Sequence, residues 1–241
     1  MNDRAADKPE RVREAFAAIG GRFVGAPERL PQSLDRIRAV VFDWDGVFNS
    51  GAKGALASGF SEPDSMGTNM LRYGLWRQYG SIPCTAIITG ADNPVALEFA
   101  AREHFSAVYS GIGDKGMVLA HLCREHGIDR VEVAVIFDDI NDLAMARDCG
   151  ARFMVSRRAS PMLTEFVTGR AACDYVTGAR GDAHAVREVC ELMLAFRGQF
   201  DDVVESRVAL DDDYRNYFRA RQAVPTRRFE SRGGAIVERD D

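Results

Sequence analysis

Long hydrophobic runs, paired cysteines and an excess of basic charge are all missing from this 241-residue sequence. No apolar run approaches the roughly 18 residues of a membrane span, and the first residues contain no apolar core of a signal peptide. The five cysteines are scattered, with no CxxC pair and no zinc-type spacing. We therefore expect a cytoplasmic protein with reduced thiols and no membrane partner.

The charge balance argues against nucleic acid as a partner. The net charge is −5 and the pI is about 5.5, so the chain as a whole is not attracted to a polyanion. A hydrophobic fraction of 46% can supply a full core. The length predicts one domain of about 150–200 residues with extensions.

Short apolar strands alternate with helical patterns along the middle of the chain. This alternation predicts a three-layer α/β fold, a Rossmann-like parallel sheet with helices on both faces. The predicted strands are 39–43, 84–88, 107–109, 131–137, 152–155 and 175–176. The predicted helices are about 65–79, 94–104, 115–126, 142–148, 161–168 and 182–196.

Both ends of the chain differ from this core. In residues 1–37 the pattern predicts a helix at 11–19, followed by a linker that contains Pro27 and Pro31. We expect residues 38–198 to form the core. Residues 199–241 mix acidic and arginine-rich clusters, which favours a solvated and partly disordered tail. The alternative is an arm that docks on a neighbouring subunit. Glycines within residues 48–63 suggest a loose hairpin.

The most informative segment is the buried strand that ends in Asp43 and Asp45. Residues i and i+2 of a strand point to the same side, so both carboxylates emerge together at the strand's carboxyl end. Open α/β sheets bind their ligands at this edge. Two crowded carboxylates need a cation or a shared proton.

Other predicted strands end in matching chemistry. Thr89 and Gly90 offer a hydroxyl and a backbone N–H to a phosphate oxygen. Lys115 begins a helix, where it opposes the helix dipole unless an anion is near. The strand ending at residue 137 is followed by an acidic cluster that would repel itself without a metal, namely Asp138, Asp139, Asn141 and Asp142. Oxygen ligands of this kind suit Mg²⁺.

These motifs resemble those of the haloacid dehalogenase (HAD) superfamily of phosphohydrolases, in order and in spacing. The fold class expected is therefore a HAD-like core. The chain more closely resembles the capless 3-deoxy-D-manno-octulosonate 8-phosphate (KDO 8-phosphate) phosphatase group over about residues 38–198. The shared segments are 86–90, 109–115, 138–143, 173–177 and 185–189.

The resemblance implies a role for each motif residue. Asp43 would be the nucleophile that forms an aspartyl-phosphate, and Asp45 the general acid and base. Thr89, Gly90 and Lys115 would bind the phosphoryl oxygens. Mg²⁺ would be held by Asp43, the Asp45 carbonyl and Asp138, with Asp139, Asn141 and Asp142 in the surrounding shell. The substrate would be a small phosphorylated sugar or sugar acid.

The resemblance also implies an architecture and shows departures from the family pattern. Only about twenty residues separate Val47 from the next helix, too few for a helical cap domain, so we expect a capless site that a homotetramer closes. Asn49, Ser50 and Ala91 stand where the family has other residues, and Phe137 replaces a glycine. These positions concern specificity rather than the catalytic residues.

Two other functions remain open. A catalytically silent oligomerisation or partner-binding module would explain the altered positions and the extensions. A phosphotransferase of the mutase kind would keep the fold and the metal, but such enzymes usually carry a cap that excludes water.

Overall fold

The computed structural model describes residues 8–53 and 59–239, which form one sheet covered by helices. Its strands are β1 Arg22–Phe23, β2 Ala39–Asp43, β3 Cys84–Ile88, β4 Ala107–Ser110, β5 Val133–Phe137, β6 Ala151–Met154, β7 Tyr175–Val176, β8 Arg227–Arg232 and β9 Ala235–Glu238. Its α-helices are α1 Lys8–Ala18, α2 Arg29–Leu34, α3 Glu62–Tyr79, α4 Pro94–Glu103, α5 Lys115–His126, α6 Leu143–Ala146, α7 Pro161–Gly169, α8 Ala185–Phe196, α9 Phe200–Ala209 and α10 Asp212–Gln222. Short 3₁₀ turns cover Arg130–Glu132, Ile140–Asp142 and Gly181–Ala183.

The strands are ordered β1-β7-β6-β5-β2-β3-β4-β8-β9. The seven strands from β7 to β8 are parallel, and β1 and β9 are antiparallel to their neighbours at the two edges. β2 lies at the centre, with Asp43 opposite Ile88 of β3. The predicted α/β fold with a parallel sheet is confirmed.

The sheet is buried on both faces, which makes the fold three-layered. Alternate residues of β2 enter different hydrophobic clusters: Val40 and Phe42 face one, and Val41 faces the other. Helices α3, α4, α8, α9 and α10 cover the first face, whereas α5, α6 and α7 cover the second. The residues at the carboxyl ends of the central strands, Asp43, Thr89 and Asp138, are also buried.

Two predictions about the N-terminal half need correction or stay open. The linker at Pro27 and Pro31 contains helix α2, because Pro31 lies in the first helical turn, where its missing N–H breaks no hydrogen bond. The predicted loose hairpin at 48–63 is not seen in its described parts. Residues 48–53 and 59–61 contain no strand, and α3 begins at Glu62. The rest of that proposed hairpin, residues 54–58, lies outside the described residues.

The C-terminal segment is folded, so the prediction of a solvated, partly disordered tail is wrong for residues 200–239. Helices α9 and α10 pack on α3, and β8 pairs with β4 in the central sheet. Asn69 of α3 is buried, and its side chain bonds Tyr214, Tyr217 and Arg221 of α10 at 2.8–3.0 Å. The division of the chain into three regions stays a prediction, as does docking on another subunit.

None of the described helices is both long and apolar enough to cross a membrane.

Candidate active site

Asp43 and Lys115 form a buried ion pair at the carboxyl edge of the sheet. Asp43 ends β2, and the Lys115 Nζ donates to Asp43 Oδ1 at 2.6 Å. The same ammonium group also donates to Asp142 Oδ1. Lys115 is the first residue of α5, after the N-cap Asp114, so its helix places it above the strand end. The lysine therefore links a carboxylate at the end of β2 with one in the 3₁₀ turn Ile140–Asp142.

Asp43, Asp138 and Asp142 together form a buried acidic cluster. One carboxylate oxygen from each lies within 4.8 Å of the other two. Asp138 follows β5 directly, and its Oδ2 accepts a hydrogen bond from the Arg157 guanidinium. Buried oxygen ligands converging at this spacing can hold a hard divalent cation.

Burial and mutual repulsion perturb the acidity of the cluster. Burial, with the negative charge of Asp142, raises the pKa of Asp43 from 3.8 to about 8 against the opposing effect of Lys115. Burial also raises the pKa of Asp138, although Arg157 opposes this. For Lys115, burial alone would lower the pKa, but Asp43 and Asp142 together raise it. The lysine therefore stays charged, whereas burial disfavours the charged forms of Asp43 and Asp138.

Asp45 lies in the turn that follows β2, next to the acidic cluster. Its Oδ2 accepts a hydrogen bond from Lys53, whereas its buried Oδ1 has no protein partner among the described residues. The turn depends on Gly46, which has a φ of +90° and would place a Cβ 2.1 Å from Asp138 Oδ2. Asn49, one of the departures from the family pattern, accepts a hydrogen bond from Gly51 N at 2.8 Å and holds this turn closed.

Thr89 follows β3 and is fully buried, yet its hydroxyl has no hydrogen-bond partner in the described structure. Its backbone is fixed, because Thr89 N donates to Tyr109 O at 2.8 Å. Gly90 beside it is exposed and has no side chain. A buried hydroxyl without a partner is costly, and an incoming oxyanion would satisfy it.

The residues of the acidic loop separate into two groups. Asp142, predicted to lie in the surrounding shell, is buried and contributes an oxygen to the acidic cluster itself. Asp139 and Asn141 are exposed, and Asp139 accepts a hydrogen bond from Ile140 N as the cap of a 3₁₀ turn. The Asp45 carboxylate does not belong to the acidic cluster, and a metal bond from its backbone carbonyl stays a prediction.

Sequence reasoning missed the two cations that hold these carboxylates. Lys53 bonds Asp45, and Arg157 bonds Asp138. Arg157 lies three residues after the end of β6, at the same edge of the sheet as the other site residues. That position was the available signal, since every parallel strand in the sheet ends at this edge.

Comparison with known proteins agrees with this geometry. A phosphatase structure from Pseudomonas syringae, described as a probable YrbI family phosphatase, is 30% identical and has a TM-score of 0.62, covering 76% of this chain and 98% of that one. This chain belongs to the YrbI phosphatases of the HAD superfamily. No family model matches the sequence.

Two further proteins to which this HAD phosphatase is similar are named as KDO 8-phosphate phosphatases. The KDO 8-phosphate phosphatase KdsC of Escherichia coli K12 is 28% identical over 173 residues, covering 70% of this chain and 85% of the relative. The KDO 8-phosphate phosphatase structure of Moraxella catarrhalis, in complex with a magnesium ion, a phosphate ion and KDO, is 28% identical with a TM-score of 0.62, covering 74% of this chain and 97% of that one.

Proposed function

We propose that this HAD phosphatase hydrolyses the phosphomonoester of a small sugar or 3-deoxy sugar acid, with Mg²⁺ as cofactor and an aspartyl-phosphate intermediate. The observation that carries the proposal is the buried acidic cluster of Asp43, Asp138 and Asp142 with Lys115 bound across it. A structural role alone does not account for three buried carboxylates at the ligand-binding edge of a parallel sheet.

The residues present fit a magnesium ion. All three donors are carboxylate oxygens, they converge within 4.8 Å, and the pKa values of Asp43 and Asp138 are raised in the metal-free protein. When bound, Mg²⁺ supplies positive charge to the acidic cluster and to the phosphoryl oxygens. The magnesium ion named in the Moraxella catarrhalis structure supports the same assignment.

The chain's own residues divide the reaction between them. The Asp43 carboxylate attacks phosphorus, and the bond to the ester oxygen breaks to give an aspartyl-phosphate and an alkoxide. Asp45 donates its proton to that alkoxide and then accepts a proton from the water that hydrolyses the acyl phosphate. Lys115 and the unpartnered Thr89 hydroxyl neutralise and orient the phosphoryl oxygens.

The test is phosphate release from sugar phosphates, sugar acid phosphates and nucleotides, with Mg²⁺ and with EDTA. We expect metal-dependent turnover that Asp43→Asn abolishes without loss of folding. Asp148→Asn is the matched control, because Asp148 is an exposed carboxylate paired with Arg130 outside the site. Full turnover by the Asp43→Asn protein would refute the mechanism.

The same panel separates the two alternatives. A silent module would release no phosphate from any ester although it binds Mg²⁺. A phosphotransferase would release less free phosphate when an acceptor is added, because the phosphoryl group passes to the acceptor. The intact set of Asp43, Asp45, Lys115 and Asp138 argues against the silent module. The capless site, the homotetramer and the cytoplasmic location stay predictions.

A further inference from the structure

The outer face of helices α9 and α10 exposes a cluster of apolar side chains. Four large apolar side chains are exposed within residues 204–218, namely Val204, Val208, Leu210 and Phe218. Val208 is the most exposed of them, at 78%. Soluble proteins seldom leave apolar side chains clustered on the surface unless another molecule covers them. This face of the two helices is therefore suited to contact with another molecule.

A groove of about 470 Å³ lies between the two helices on this face. Leu210, Tyr214 and Phe218 form its apolar lining. Three arginines line it as well, namely Arg207, Arg215 and Arg219. The Arg207 guanidinium lies 4.9 Å from the centre of the Tyr214 ring. The groove thus combines aromatic and apolar groups with positive charge.

Helix α10 is fixed to the core by its inner side, so its outer side is preformed. Tyr214, Tyr217 and Arg221 are buried at helical spacing, and all three bond the Asn69 side chain of α3. A surface that is already ordered loses little conformational entropy when it binds. The outer side of α10 can therefore form a contact without rearrangement of the helix.

Leu210 supports an intermolecular role for this face. It ends α9 with a φ of +49°, in the left-handed region where glycine or asparagine is usual. Its side chain is exposed and lines the groove. A leucine at this position costs backbone strain and leaves apolar surface in water. Contact with another molecule would bury that apolar surface.

The charges on α10 are complementary to those of an antiparallel copy of the same helix. Asp212 lies in the first turn, whereas Arg215 and Arg219 follow on the next turns. Asp212 and Arg219 are seven residues apart, which is about two turns, so they lie on the same side of the helix. When two copies pack antiparallel about a two-fold axis, Asp212 of each copy lies opposite Arg219 of the other.

Both charged groups are available for this pairing. Asp212 is 93% exposed in its pair with Arg215 at 3.5 Å. Arg219 donates to Asn216 of its own helix at 2.6 Å and forms no ion pair with any residue in 8–53 or 59–239. The face carries both signs of charge in self-complementary order, which favours a second copy of the chain over an acidic partner protein.

We propose that the outer face of α9 and α10 is a docking surface for a second copy of this chain, with the two α10 helices packed antiparallel about a two-fold axis. The surface lies outside residues 38–198, so it is separate from the homotetramer that the resemblance implies. It is also separate from the acidic cluster, and the interface does not depend on the proposed phosphatase activity.

The experiment measures the mass of the assembly by sedimentation velocity on the full-length chain over a range of concentrations. The samples are the wild type, Asp212→Arg, Arg219→Asp, the double variant that carries both changes, and an equimolar mixture of the two single variants. Arg124→Asp is the matched control, because Arg124 is exposed near the far end of α5. Any assembly through the core is the same in all samples, so each mass is compared with that of the wild type.

We expect the wild type to associate as its concentration rises, and each single variant to associate at least about tenfold more weakly, because like charges then face each other in both pairs. The double variant and the mixture should regain the association, since each restores two opposite-charge pairs, and mixing cannot restore a chain that has failed to fold. Arg124→Asp should behave as the wild type. Single variants that associate as the wild type does, or that stay apart when mixed, would overturn the inference.

A further variant tests the apolar part of the surface. Asparagine adopts the left-handed conformation readily, so Leu210→Asn keeps the backbone of the turn while it removes the apolar side chain. The association constant should fall at least about tenfold, with circular dichroism unchanged. An unchanged association constant would contradict burial of Leu210 between the two copies.

Discussion

Replacing Asp43, the proposed nucleophile, should make the metal-free protein more stable while it abolishes catalysis. In Asp43→Asn, an amide of nearly the same shape takes the place of a buried carboxylate that can ionise. The pKa of Asp43 is raised from 3.8 to about 8, mainly by burial and by Asp142. Lys115 loses one charged partner in this variant but keeps Asp142.

The gain in the free energy of unfolding depends on pH and increases as the pH rises. Because the folded pKa lies above the unfolded one, folding takes up a proton between pH 3.8 and about 8, and stability falls as the pH rises through that window. At about 1.4 kcal/mol per pH unit, the full effect above pH 8 is about 6 kcal/mol. The variant also loses the bond between Asp43 and Lys115, so we expect only about 2–3 kcal/mol to appear as extra stability of Asp43→Asn.

The assay is urea unfolding in EDTA at pH 5, 7 and 9, with Asp148→Asn as the exposed control. The stability gain of Asp43→Asn should be small at pH 5, increase toward pH 9, and shrink when saturating Mg²⁺ stabilises the wild type. Calorimetry in buffers of different ionisation enthalpy should also detect proton release when Mg²⁺ binds at pH 7. An Asp43→Asn protein that is less stable than the wild type at pH 9 in EDTA would refute the reasoning.

Three further changes test other parts of the structure. Asn69→Ala removes the buried hydrogen bonds between α3 and Tyr217 and its neighbours on α10, so the free energy of unfolding in urea should fall by about 3 kcal/mol. An unchanged free energy of unfolding would mean that the C-terminal helices are not docked as described. Gly46→Ala places a Cβ 2.1 Å from Asp138 Oδ2 at a position with a positive φ, so the Mg²⁺ affinity measured by calorimetry should fall at least about tenfold. An unchanged Mg²⁺ affinity would contradict that contact. Thr89→Val should lower kcat/KM about tenfold or more. The melting temperature should not fall, because the hydroxyl has no hydrogen-bond partner to lose among the described residues. An unchanged kcat/KM would exclude Thr89 from the phosphate site.

The core of the fold was predictable because its signals are local. Strands such as Val133–Phe137 are continuous apolar runs, as expected for a parallel sheet buried on both faces, and turn residues mark their ends. Once the strands are parallel, their carboxyl ends must meet at one edge, which brings Asp43, Asp138 and Lys115 together. Strand ends thus indicate Asp43 and Asp138, whereas Lys115 enters the site as the first residue of α5.

The C-terminal region was not predictable in the same way, because its charges find their partners only in the folded chain. Arg221 is buried against Glu103 and Asn69, residues more than one hundred positions away, so the sequence shows a charged segment where the structure has a packed one. The apolar positions Tyr214 and Tyr217 lie on one face of α10 at helical spacing and were the available signal. The charged composition of residues 199–241 led to the prediction of a solvated tail instead of a packed helix.

Two cations, Arg157 and Lys115, bind the acidic cluster, and the fold holds them differently. Asp138 Oδ2 accepts a hydrogen bond from Arg157, so a divalent cation at that oxygen would repel the guanidinium charge. Lys115 differs, because it is buried between two carboxylates and must stay charged to offset them. Arg157 is only half-buried and lines a cavity of about 260 Å³ beside the turn after β2, so it is the cation with room to move away from the acidic cluster.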